Sequence, residues 1–61
     1  MKVKDLLDKI NDGSVHVMLI SNETGEIYLS TIWHVDIDDK YKKMNVKHIE
    51  IREYEMRLTI E

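Results

Sequence analysis

Apolar residues in this chain change their spacing once. Val3, Leu6, Leu7 and Ile10 recur at the three-and-four interval of one helical face. From Val15 onward they alternate with other residues, the spacing of strands packed on one side. One helical stripe followed by period-two runs predicts an α+β domain: one N-terminal helix packed on a four-stranded, mostly antiparallel sheet, in the order αββββ. Residues 1–61 make one small domain, because the length leaves no room for a second.

Turn residues divide the pattern. Asn11-Asp12-Gly13 stops the helix, with Gly13 suited to the left-handed position past the last turn. No Ser or Thr caps its start, which predicts fraying there. The first strand spans residues 14–21, and Asn22-Glu23-Thr24-Gly25 turns it into a second over residues 26–35. Gly25 fits the left-handed residue of a type I turn followed by a bulge. A three-residue loop sets Asn22 opposite Glu26 and places Val15, Val17, Leu19, Ile27, Leu29 and Trp33 inside. His16, Met18, Ile20, Tyr28, Ile32 and His34 then fall on the outer face.

Residues 36–45 are polar and hold a helical turn, with acids leading and lysines at the end, as a helix dipole favours. Residues 46–52 form the third strand, with Ile49 and Ile51 inward. Met56, Leu58 and Ile60 mark the fourth. Inward positions are odd in one strand and even in the next, so a turn or bulge must lie at Glu53-Tyr54-Glu55, although no Gly or Asn marks it. A single bent strand is the alternative.

Composition narrows the function. A chain this short buries only about 60% of the surface its unfolded form exposes. Cysteine is absent, so neither a disulfide nor a thiolate metal site can brace it. A well-packed monomer and a homodimer both satisfy that constraint. Twelve acidic residues against nine basic ones argue against direct nucleic-acid binding. No apolar run reaches the ~20 residues of a membrane span. The charged start, Met1-Lys2-Val3-Lys4-Asp5, is unlike a secretory signal, so a cytoplasmic location in a host cell is expected.

Few residues carry chemistry. His16, His34 and His48 lie on strands and do not pair in this register, so no metal site is expected. Asp36, Asp38 and Asp39 lack the central Gly and later Glu of a calcium loop. Ser14, Ser21 and Ser30 lack a glycine-flanked elbow, and two glycines cannot build a phosphate loop. No catalytic group, cofactor or enzyme activity is expected. A partner surface remains. Tyr28 is its anchor, with Met18 and Ile32 beside it and Asp36, Asp38 and Asp39 as an acidic corner. The competing reading rests Tyr28 on the middle segment, against Tyr41 and Met44.

Val3, Leu6 and Leu7, then Glu23 and Gly25, then Val46, Ile49 and Ile51, then Leu58 and Ile60 form a pattern that resembles short proteins of Gram-positive phages and mobile elements. The opening, Asp5-Leu6-Leu7 and Ile10 before a strand, resembles small anti-CRISPR proteins that inhibit Cas9. The resemblance implies a non-enzymatic accessory protein that binds and blocks a host protein, such as a defence nuclease. A structural homo-oligomer, assembling through its open sheet face or an edge strand, is the alternative.

Overall fold

The computed structural model describes residues 1–10, 15–32 and 37–61. Its elements are α1 (Val3–Leu7), β1 (His16–Ser21), β2 (Ile27–Thr31), α2 (Asp39–Lys42), β3 (Val46–Arg52) and β4 (Glu55–Ile60). The strands form one sheet in the order β2-β1-β4-β3. Each hairpin is antiparallel, and β1 and β4 join the two hairpins in parallel. The α+β class and the four strands agree with the sequence pattern. The sheet is mixed, and the polar middle segment supplies the second short helix.

Only the first turns of the apolar stripe are helical, since Asp8 and Lys9 already form a turn. The start of α1 is held, contrary to the fraying its residues predict. Lys2 N–H donates to the Asp5 carboxylate at 3.3 Å. Val3 N–H donates to Met44 O at 3.0 Å, and Val46 N–H to Met1 O at 2.8 Å. Residues 1–3 therefore lie along the segment leading into β3, and Met44 O satisfies the first helical amide. Asn11, Asp12 and Gly13, read as the helix stop, lie outside the described residues.

In the first hairpin Val17 faces Thr31, Met18 faces Ser30 and Leu19 faces Leu29, the register a three-residue loop would set. The hairpin closes at Ser21 and Glu26, however, so Glu26 does not lie opposite Asn22 and residues 22–25 form a four-residue loop. Gly25 takes φ +76°. Its N–H donates to Ser21 O at 2.9 Å, and Ser21 N–H donates to Glu26 O at 2.8 Å. The Ser21 hydroxyl accepts from the amides of Glu23 and Thr24, both at 3.2 Å. Past Leu19 the register shifts, and Ile20 faces Ile27. Tyr28 becomes the extra residue of a β-bulge. This corrects two assignments. Ile27 is not in the core but lies opposite Ile20, 58% exposed, and Tyr28 leaves the outer face for the helical side.

The parity break between the last two strands is a two-residue turn. Arg52 faces Glu55, Ile51 faces Met56 and Ile49 faces Leu58. Tyr54 takes the left-handed conformation, φ +62°, with no glycine to relieve it. A side chain there costs roughly 1–2 kcal/mol.

The core joins Val3 and Leu7 of α1 to Val17 and Leu19 of β1 and to Met56, Leu58 and Ile60 of β4, with Ile37 closing it from the middle segment. Both central strands alternate between half-buried and buried residues along their length. The edges differ. Ile49 and Ile51 share the inner side of the sheet with Leu58 and Met56, yet they are 38% and 77% exposed. The expectation that they lie in the core is corrected. Five helical residues span roughly 7.5 Å, which does not cover four strands about 4.8 Å apart.

Candidate protein-binding corner

Tyr28 and Tyr41 meet where the β2 bulge approaches α2. Their ring centroids are 5.3 Å apart and their planes are inclined by 36°. The separation is within the range of favourable aromatic pairs. Tyr28 stays 43% exposed, while Tyr41 is half-buried against the core. The Lys40 ammonium lies 5.0 Å from the Tyr41 centroid, a cation–π distance.

The acids of the middle segment stand on the same element as Tyr41. Asp38 is the N-cap of α2 and accepts from Lys40 N–H at 3.2 Å. Asp39 comes next, in the first turn, and is exposed. Asp38 thus has a local task, since its carboxylate satisfies an amide the short helix cannot. Asp36 lies outside the described residues.

A small cleft of about 200 Å³ opens beside the ring pair, lined by Ser21, Glu23, Tyr28, Met44, Ile60 and Glu61. Glu61 is held at its rim by Lys47 Nζ at 3.1 Å and Asn22 Nδ2 at 2.8 Å. These two partners, Lys47 first, hold its carboxyl below the ordinary value of 4.5. The cleft therefore sets the Tyr28 ring beside the carboxylates of Glu23 and Glu61. Asp38 and Asp39 stand at the start of α2, and Asp39 lines a separate cavity with Leu7, Ile10 and Lys43.

The other expected members do not join it. Met18 faces Ser30 on one side and Arg57 on the other, on the face of the sheet away from the core. Ile32, one residue past β2, is 40% exposed. The partner surface expected from Met18, Tyr28 and Ile32 is thereby divided, with Tyr28 against Tyr41 as the competing reading has it. Trp33 and His34 lie outside the described residues.

The open face is half apolar and half charged. Ile27, Ile20, Thr59 and His48 make one cross-strand row, and Ser30, Met18, Arg57 and Glu50 the next. Arg57 is hydrogen-bonded to Glu55, and Arg52 pairs with Glu50 at 2.8 Å. The Arg57 hydrogen bond is the main reason the Glu55 carboxyl lies below its ordinary value. His16 Nε2 and Ser30 Oγ are 2.5 Å apart. Ion pairs this exposed contribute little to stability, and here they neutralise the face. Among the described residues no group of three His, Asp or Glu can hold a metal, and no helix is long and apolar enough to cross a membrane.

No family model matches the chain, and neither a curated protein nor a solved structure does so. The geometry must carry the functional reading. Sequence reasoning misses Ile37, 3% exposed in the core, because the charged residues around it make the segment read as polar. It also misses the exposed shelf of Ile49, Ile51 and Tyr54, the last 70% exposed.

Proposed function

We propose that this chain is a non-enzymatic accessory protein of a phage or mobile element that binds and blocks a host protein. Its resemblance to short phage proteins and to small Cas9 inhibitors favours a cytoplasmic defence nuclease as the target. One observation supports the reading most: Tyr28, 43% exposed, is braced by Tyr41 and shares a cleft with the carboxylates of Glu23 and Glu61. Bracing removes much of the rotamer freedom that a free surface ring would lose on binding. Tyrosines held this way serve as interface anchors, and nearby acids suit the lysines and arginines that line a nuclease groove. The ring face itself takes a guanidinium.

The test is capture from a Gram-positive host lysate with the wild-type protein and with a Tyr28→Ala/Asp39→Lys variant, then titration of the captured protein. A specific partner is expected to bind the variant at least about tenfold more weakly, with wild-type affinity falling as salt rises. Equal recovery by both baits contradicts the reading.

A further inference from the structure

We infer that β3 is a dimerisation edge, at which a second copy of this chain adds its own β3 antiparallel about a two-fold axis at Ile51. β3 is the outer strand of the sheet, beside β4. In an antiparallel ladder successive residues point their amide and carbonyl alternately to the two sides. The two-residue turn makes Arg52 and Glu55 the closing hydrogen-bonded pair, so the backbone groups of Ile49 and Ile51 point away from β4. Val46, also paired on the inner side, shows that direction: its N–H reaches outward to Met1 O at 2.8 Å.

Met1 and Lys2 occupy the edge only at its start, through the Lys2–Asn45 bridge. Past the irregularity between Val46 and His48, the edge is free of that segment. Lys47, the residue type that ordinarily guards an edge, is drawn to Glu61 at 3.1 Å. The remainder of β3 is a regular strand carrying Ile51, 77% exposed on the core side of the sheet, with Tyr54 at 70% beyond it.

Charge selects the occupant and the register. Side chains on one face of two paired copies must have matching parity, so the axis passes through a residue. An axis at Glu50 sets the two Glu50 carboxylates against each other, which is unfavourable. An axis at Ile49 drives the second copy toward Met1 and Lys2. An axis at Ile51 avoids both and places Glu50 of each copy opposite Arg52 of the other. The two in-strand Glu50–Arg52 pairs, now 2.8 Å within each copy, then become one network of four charges. The two Ile51 side chains meet on the core side and extend the apolar layer across the junction. The Tyr28 corner lies on β2, at the opposite edge of the sheet, so the dimer carries two such corners facing outward. The inference stands whether or not that corner binds a host protein.

The absence of cysteine makes the test direct. Hydrogen-bonded cross-strand pairs bring Cα atoms to about 5.5 Å, within disulfide reach. Single-cysteine variants Ile51→Cys, Ile49→Cys and Glu23→Cys are oxidised at equal low concentration. Ile51→Cys is expected to form a disulfide dimer at least about tenfold faster than the other two. Sedimentation of the wild-type protein between about 1 and 500 µM is expected to show reversible dimer, lost in Ile51→Lys. Ile51→Lys should keep the wild-type far-UV circular dichroism, because the side chain is exposed. A wild-type monomer across that range overturns the inference. So does a dimer that survives Ile51→Lys, or cross-linking at Ile51 no faster than at Ile49 or Glu23.

Discussion

β4 and β3 are neighbours in one sheet, with the same alternation of apolar residues, and they meet opposite fates. Met56, Leu58 and Ile60 of β4 are at most 7% exposed, while Ile49 and Ile51 opposite them are 38% and 77% exposed. Pairing puts all five on the same side of the sheet. Alternation therefore assigns a face, and the length of the covering helix decides whether the face is buried. α1 spans five residues, and its buried Val3 and Leu7 join the core with the central strands while the far part of β3 stays exposed. The residues α1 leaves uncovered are open to contacts outside the molecule.

Substitution separates the two strands most sharply. Leu58→Ala, at a site with no exposure, is expected to cost about 2–5 kcal/mol in chemical denaturation, a large part of the stability of so short a chain. Ile51→Ala, measured on dilute monomer, is expected to fall within about 0.5 kcal/mol of wild type. Similar losses at the two sites would remove the distinction between covered and uncovered residues.

A smaller effect concerns the turn joining these strands. Tyr54 holds φ +62° against the preference of its side chain. Tyr54→Gly is expected to raise stability by up to about 1 kcal/mol, read as a higher denaturation midpoint at unchanged slope. A loss would mean that the Tyr54 ring contributes more to the fold than its 70% exposure indicates.

The smallest effect is electrostatic. The carboxyls of Glu55 and Glu61 both lie below their ordinary value of 4.5 in the folded chain. Their contribution is therefore present above pH 4.5 and disappears as the pH falls below it toward the folded values. A shallow decline in stability is expected in that window, reduced in Glu61→Gln and weakened by salt, because these groups are exposed. A rise in stability on acidification through the same window would contradict the pairing of Glu61 with Lys47 and Asn22.

Much of this fold is legible in the sequence. Val17, Leu19, Met56, Leu58 and Ile60 are buried where period two places them, Gly25 turns the first hairpin, and the parity change between Ile51 and Met56 locates the second turn. Three features escape for identifiable reasons. Ile27 and Tyr28 suit either face of a strand, so a one-residue bulge exchanges their sides without a sequence mark. Ile37 stands between Asp36 and Asp38 in a charged segment, which reads as solvent-facing. The bareness of β3 depends on how far α1 extends, and the stripe through Ile10 implies a longer helix than forms. Within the candidate site, Tyr28 and the acids Asp38 and Asp39 are recognisable from the sequence, and Tyr41 is identifiable as the competing contact. The separation of Met18 from Tyr28 is not, because it results from the bulge.

The proposed host-protein contact turns on which side of the sheet Tyr28 occupies, and a nuclear Overhauser spectrum reads that directly. Ring centroids 5.3 Å apart predict strong cross-peaks between the aromatic protons of Tyr28 and Tyr41. Cross-peaks from Tyr28 to the Met18 methyl, with none to Tyr41, would contradict the bulge, the corner and the function built on it.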